Sequence, residues 1–290
     1  MSLKLATRKS KLAQVQTDYT MNLIATLHNV KCEKVLTDTI GDQRLDVTLD
    51  KIGGKGVFIK ELEKLMLEHK ADCGVHSMKD VPYELPEGFS IAAMPIREDV
   101  RDAFVSMNGV SFSNLPMGAK IGTSSKRRSE QLLLLRPDLN IVPVRGNVQT
   151  RIKKIQDENL DGIILAAAGL KRLGMEEIIT NYFNTNEIVP AIAQGALGIE
   201  IYKNCEYEDM LRSLDNYEVR ICVEAERSFM TELKGDCHST IGAYATIDND
   251  IMSITGIYDV NGVLVKDTVV GNKEDYMNLG KKLSQNILNK

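Results

Sequence analysis

Several common protein classes are excluded by what this 290-residue chain does not contain. No apolar run is long enough to span a bilayer, and the opening "MSLKLATRKSKLAQ" has no apolar core of the kind an export signal needs. A cytoplasmic location without a membrane partner is therefore the default expectation. Cysteine is sparse and unpaired in pattern. The five are Cys32, Cys73, Cys205, Cys222 and Cys237, and no two form C-x-x-C. An odd, scattered set argues against a disulfide framework and leaves a structural zinc site without ligand pairs. The four histidines, His28, His69, His76 and His238, are equally dispersed, so no metal is expected. A net charge of −4 gives no whole-molecule field for nucleic acid. A phosphate-binding Walker pattern is missing as well, because "GGKGVF" lacks the Lys-Ser/Thr ending and a preceding strand.

What remains is an ordinary folded composition, 43% hydrophobic and 26% charged, on a chain long enough for two or three domains. "ATRKSKLAQVQTDYTMNLIATL" offers Thr7 and Ser10 as candidate N-caps, followed by Leu12, Val15, Tyr19 and Leu23 at helical spacing. "CEKVLTDT" reads as a strand and "DKIGGKGVF" as a Gly-rich loop. "FIKELEKLMLEHK" is a helix with Phe58, Leu62, Leu65 and Met66 on one face, and "ADCGVHS" is a short buried strand. The alternation continues with strands "DAFVSM" and "AKIGTSS", the helix "SKRRSEQLLLLRP" stopped by Pro137, and the strand "NIVPVRG". A helix capped by Asn147 follows, then the strand "DGIILAAAG" and a short helix "LKRLGM". Repeated βα units predict α/β layers with mainly parallel strands. No internal repeat is visible. The tail differs: a helix "EVRICVEAERSFMTEL", three strands joined by "DND" and the hairpin signal "VNG", and a last helix predict a small α+β domain.

Parallel α/β sheets bind ligands beyond the carboxyl ends of their strands. In this chain those strand-to-helix junctions carry Arg8 and Ser10, Lys79 and Asp80, Ser124 to Arg128, Arg145 with Gly146 and Asn147, and Lys171 with Arg172. Basic residues also crowd the stretch from Lys126 to Arg172, including Arg136, Arg151, Lys153 and Lys154. A solvated basic face would explain any one of them. Helix N-termini with Ser hydroxyls and Arg forks together suit a ligand with several carboxylates or phosphates. Asp80 is the one acid at such a junction. It is either a turn or N-cap aspartate, or a carboxylate that moves a proton or stabilises developing positive charge.

Cys237 sits in "GDCHSTIGAYA", at the start of the α+β tail. A nucleophile partnered by His238, a metal ligand, half of a disulfide and an inert buried thiol are all readings of that loop. Adjacent residues rarely face each other productively, which weakens the Cys–His reading.

The segments "ATRKSKLAQVQT", "KIGGKGVFIKELE", "ADCGVHSMKDVP", "IGTSSKRRSEQL", "VRGNVQTRIKK", "AAAGLKRLG", "AQGALGIE" and "GDCHSTIGAYA" occur in that order from about Lys4 to about Ala245. Together they resemble the porphobilinogen deaminase (hydroxymethylbilane synthase) family. The resemblance implies two periplasmic-binding-protein-like α/β domains with an interdomain cleft, residues 1–96 with 195–214 and residues 97–194. A small C-terminal α+β domain, 215–290, would carry the cysteine. It implies a transferase of porphyrin and haem biosynthesis that condenses four porphobilinogen molecules into hydroxymethylbilane with release of ammonia. It also implies a dipyrromethane cofactor on Cys237 through a thioether, so that Cys237 is an anchor and not a turnover nucleophile. Asp80 would be the catalytic carboxylate, stabilising the cationic azafulvene. Lys79, Ser125, Arg127, Arg128, Arg145, Gly146 and Arg151 would join Asp80 in holding the cofactor. Arg8, Ser10, Phe58, Arg172 and Gln194 would contact substrate, and Lys51 and Lys55 would lie on a loop over the cleft. A monomer working on porphobilinogen and polypyrrole intermediates is expected, with no metal or nucleic acid.

This chain departs from the family's usual residues in three places. Ala193 stands where Gly is expected, and it would be strained if the backbone needs positive φ. Asp236 and Thr240 stand where Gly and Pro are common. Two rival readings use fewer of the motifs. A non-catalytic two-lobed protein for a polycarboxylate ligand has no need of Cys237 or Asp80, and a cysteine hydrolase would use Cys237 and His238.

Overall fold

The computed structural model describes residues 2–39, 41, 56–233 and 240–290. Lys51, Lys55 and Cys237, together with most of the Gly-rich loop, lie outside the described residues. The chain divides into two compact units, Met1–Glu98 with Ala196–Arg220, and Asp99–Gly195 with Ile221–Lys290.

The first unit is built on a five-stranded sheet ordered β2-β1-β3-β10-β4. Its strands are β1 (Leu3–Arg8), β2 (Cys32–Thr37), β3 (Cys73–Ser77), β4 (Phe89–Ala93) and β10 (Leu197–Tyr202). β1 pairs in parallel with β2 and β3, whereas β10 runs antiparallel between β3 and β4. β3 is buried at four of its five positions, as expected of a strand covered on both faces. Leu3, Leu5, Ile24, Val75 and Ile199 form the centre of one core cluster. Helix α1 (Lys11–His28) is capped by Ser10, whose Oγ accepts from the Ala13 N–H, and α2 (Lys60–Leu67) buries Leu62 and Met66. The face of α1 differs from the expected one. Ala13, Gln16, Thr17, Thr20 and Ile24 are buried, whereas Tyr19 is exposed, so small and polar residues meet the sheet.

In the second unit the sheet is ordered β7-β6-β8-β5-β9. Its strands are β5 (Asp102–Val105), β6 (Lys120–Gly122), β7 (Asn140–Val142), β8 (Gly162–Ala166) and β9 (Asn181–Tyr182). β6 is parallel to β7 and β8, and β5 is antiparallel to β8 and β9. Position for position this repeats the first sheet, a structural repeat the residues do not betray, except that the inserted strand comes last in the chain there (β10) and first here (β5). In each sheet four of the five strands run in one direction, as the βα alternation predicts, and one antiparallel strand is inserted among them. Phe104, Ile121, Leu132 and Ile164 form a core cluster, with Phe104 and Phe112 edge to face at 5.6 Å.

Helix α3 (Lys126–Leu135) inverts the usual rule. It buries Arg127, Arg128, Gln131 and Leu132, and leaves Leu133, Leu134 and Leu135 exposed. Helix α4 (Val148–Asp157) is capped by Asn147, whose Oδ1 accepts from the Thr150 N–H at 2.9 Å. The helix after β8, α5 (Ala167–Arg172), starts three residues earlier than the sequence suggests. A short helix α6 (Glu208–Arg212) follows in the first unit, and α7 (Tyr217–Glu232) leads into the tail.

The tail forms the three-stranded antiparallel sheet of β11 (Ile241–Asp248), β12 (Ile251–Val260) and β13 (Val263–Asn272), with α8 (Tyr276–Leu288) packed on β12 and β13. Its hairpin turns at Asn261 and Gly262, with φ of 54° and 86°, the left-handed pair that an Asn-Gly loop supplies. The observed class is thus two α/β sheets plus a small C-terminal α+β sheet and helix.

Candidate functional site

In the first unit the junctions after β1 and β3 converge. A pocket is lined by Arg8, Phe58, His76, Ser77 and Asp80, with Gln16 behind them. Arg8 is the last residue of β1, and its guanidinium lies 4.2 Å from the centre of the Phe58 ring. Asp80 closes a short 3-10 turn, Met78–Asp80, that follows β3 and carries the exposed Lys79. Ser77 Oγ accepts from Gln16 Nε2 at 2.8 Å. The structure therefore brings Arg8, Phe58 and Asp80 together. Ser10 is next to them in sequence but commits its hydroxyl to capping α1.

Sequence reasoning passed over the wall behind this pocket. His76 is 5% exposed, and its Nε2 is 2.8 Å from Glu200 Oε2 on β10. Glu200 is completely buried. Glu63 of α2 is also buried, and burial together with the charge of Glu200 pushes its carboxyl up to about 7. The signal was hidden because only the antiparallel pairing of β10 with β3 puts Glu200 beside His76.

In the second unit the arginines of "SSKRR" point inward onto one carboxylate. Arg127 Nη2 is 2.8 Å from Asp102 Oδ2, and its Nη1 donates to the Val189 carbonyl at 2.6 Å. Arg128 donates to Asp102 Oδ1 from Nε at 3.1 Å and from Nη2 at 2.7 Å, and to the Ile164 carbonyl at 3.1 Å. Gln194 Nε2 donates to the same Oδ1 at 3.0 Å and to the Val100 carbonyl at 2.7 Å. Burial alone would raise Asp102, but the two guanidiniums hold it well below the ordinary carboxylate range. Burial in turn lowers Arg127, and Asp102 partly offsets this. Two cations on one anion leave a net positive charge in a dry setting, the electrostatic condition for holding a carboxylate.

Asp102 corrects the view that Asp80 is the one acid among these cations. It opens β5, and because β5 is antiparallel its first residue pairs with Ala166 at the carboxyl end of β8. A reading that assumed parallel strands had no reason to place it there.

The other predicted residues spread around this centre. Ser125 caps α3, its Oγ accepting from the Arg128 N–H. Arg145 Nη1 is buried and has no hydrogen-bond partner among the described residues. Gly146 has φ of 120°, and a Cβ there would come within 2.7 Å of Thr150. Its carbonyl accepts from Arg151 Nε at 2.7 Å. Arg172 donates to the Gly195 carbonyl at 2.5 Å. Lys171, Arg136 and Lys154 instead pair with Asp99, Asp138 and Glu158. Gly242 of β11 sits so close to Val189 and Pro190 that a Cβ would lie 2.6 Å from the Pro190 carbonyl and 3.1 Å from Arg127 Cδ. The strand that follows the cysteine loop therefore runs beside Arg127. Ala193 does adopt the left-handed conformation, with φ of 58°, and its N–H donates to Glu226 Oε2 at 2.7 Å.

A dipyrromethane bearing carboxylates fits these residues. Among the described residues the buried Arg145 donor lacks a partner, and the Arg127, Arg128 and Asp102 cluster carries net positive charge.

These features define an α/β protein with two buried arginines on one carboxylate in its second unit and a pocket lined by Arg8 and Asp80 in its first. Residues 3–209 match the family described as "Porphobilinogen deaminase, dipyromethane cofactor binding domain", and residues 220–289 match its C-terminal domain. A porphobilinogen deaminase of Clostridium botulinum (strain Langeland) is 58% identical over 288 residues, 99% of each chain. One of Clostridium acetobutylicum is 59% identical over the same length and share. Two solved structures, the methionine binding protein MetQ and a periplasmic substrate-binding protein from Coxiella burnetii, match with TM-scores of 0.45 and 0.46. Their identities are 11% and 10%, and they cover 76% and 78% of this chain and 92% and 96% of their own. A likeness at that level carries no argument, and the fold class rests on the strand orders above. The chain belongs to the porphobilinogen deaminase family. It is an enzyme of tetrapyrrole biosynthesis, a transferase, with the family's dipyrromethane cofactor binding domain.

Proposed function

We propose that this chain condenses four porphobilinogen molecules head to tail into hydroxymethylbilane, releasing one ammonia each, on a dipyrromethane held through a thioether to Cys237. The observation that carries the reading is the buried pair of arginines on Asp102 with β11 alongside, joined in one chain to a pocket that contains Asp80.

The cofactor supplies a pyrrole ring whose free α-carbon starts the chain. Arg127, Arg128, Arg145 and Arg151, with Ser125, Lys79 and the backbone at Gly146, would hold its carboxylates. Arg8, Phe58, Arg172 and Gln194 would contact substrate, with Arg8 and Phe58 forming one wall of the pocket that holds Asp80. Asp80 stabilises the positive charge that develops on porphobilinogen as its aminomethyl C–N bond breaks, and hydrogen-bonds the pyrrole N–H groups. Lys51 and Lys55 belong to the same reading, as does a cytoplasmic monomer of three domains: 1–96 with 195–214, 97–194 and 215–290.

Incubating the purified protein with porphobilinogen and counting products tests the reading. Four ammonia released per hydroxymethylbilane is expected. Binding of porphobilinogen without consumption would replace the enzyme by a polycarboxylate-binding protein.

A further inference from the structure

The proton chemistry of the first pocket is not exhausted by Asp80. His76 lines the same pocket. Its Nε2 is engaged by Glu200, and among the described residues its Nδ1 has no hydrogen-bond partner. Glu200 Oε1 is buried and also lacks a partner there, so the carboxylate is spent on the imidazole. A buried carboxylate that fixes one ring nitrogen leaves the other as a proton acceptor and stabilises the cation that forms. Among the described residues, Glu63 of α2 interacts with both members of the pair and with Lys60 and Glu61, and Arg8 and Asp80 line the pocket.

We propose that His76, oriented by Glu200, is a second catalytic residue that removes the α-carbon proton when each new pyrrole is joined. The inference rests on the deaminase reading above. In each condensation the aminomethyl C–N bond of porphobilinogen breaks and its nitrogen leaves as ammonia. A bond forms from the methylene carbon to the α-carbon of the porphobilinogen-derived pyrrole already in place. The C–H bond at that carbon breaks, its electron pair returns to the ring, and the proton goes to His76 Nδ1. The imidazolium, held against Glu200, passes that proton to the ammonia, which departs as ammonium. Nothing is oxidised or reduced. Asp80 then serves only to face the developing cation, and one group need not serve both steps.

The test uses His76→Gln, which keeps a donor toward Glu200 and removes the base. With porphobilinogen deuterated at its free α-carbon, the parent enzyme is expected to show little isotope effect. The variant should retain cofactor by intact mass, lose about 10²-fold in kcat, and acquire a primary isotope effect because proton removal becomes limiting. A readout independent of turnover is the imidazole nitrogen spectrum of the parent, with the His76 signals assigned by their loss in His76→Gln. In the neutral ring a proton on Nε2 and a bare Nδ1 are expected. Near-parental kcat without an isotope effect, or a proton on Nδ1, would overturn the proposal. If His76→Gln does not fold, Glu200→Gln carries the same kinetic test with a smaller expected loss; unchanged kcat without an isotope effect there would overturn it equally. A parent that does not consume porphobilinogen at all would instead remove the deaminase reading, and this inference with it.

Discussion

The two five-stranded sheets share one spatial arrangement of strands and carry opposite chemistry. In each, three parallel strands are followed by an inserted antiparallel strand that brings a buried acid to the third parallel strand. In the first sheet that acid is Glu200 of β10, set against His76 of β3. In the second it is Asp102 of β5, set at the end of β8 and against Arg127 and Arg128. The inserted strand thus orients a titratable ring in one unit, from its middle, and fixes two permanent cations in the other, from its first residue. Topology decides where an acid can be hidden, and the partner decides whether it moves protons or holds charge.

That contrast breaks most sharply under substitution of the two aspartates. Asp80→Asn keeps shape and removes charge from the first pocket. A fall of about 10²–10⁴-fold in kcat is expected, with unchanged urea midpoints and cofactor content. A variant with near-parental rates would remove Asp80 from the reaction. Asp102→Ala should act the other way, through stability. It strands two buried guanidiniums, a loss of about 3–5 kcal/mol in urea unfolding. An unshifted midpoint would mean that the arginines are not held by Asp102.

A smaller effect separates the units by pH. The folded-state carboxyl of Glu63 is raised to about 7, from 4.5 when unfolded. The folded protein therefore keeps this proton where the unfolded chain has released it. The associated stability is fully present below 4.5 and is lost as pH rises through 7, by about 3 kcal/mol. Glu63→Gln should flatten the urea midpoint across that window, and an identical pH slope in the variant would contradict the assignment. Asp99 in the second unit has the opposite sign. Burial would raise it, but hydrogen bonds from Arg101 hold it at about 2. Its contribution is present above 3.8 and fades only as pH falls through 2. The smallest expected effect is at Ala193. Ala193→Gly relieves a left-handed alanine and should raise stability by about 1 kcal/mol, read as a higher urea midpoint. A lower midpoint would show that its methyl is needed in the buried packing.

The elements were largely legible because their signals are local. Ser10 and Asn147 cap where they were expected to, and the Asn261-Gly262 turn joins β12 to β13. Arg127 and Arg128 stood out by position, and the strain anticipated for Ala193 is present. What escaped is non-local. Asp102 and Glu200 are single acids in apolar strands, and only antiparallel insertion gives them partners. The inward turn of the α3 arginines, with leucines left outside, runs against the burial preference that any helical pattern assumes.

The central claim of the proposed function is that Cys237 anchors the primer. Intact mass of the purified protein, with peptide mapping across Gly235–Ala245 before and after incubation with porphobilinogen, tests it most directly. The account predicts added mass equal to two condensed, substrate-derived pyrroles, confined to the peptide that contains Cys237 and absent in Cys237→Ala. An unmodified Cys237 after incubation, or the same adduct persisting in Cys237→Ala, would contradict it.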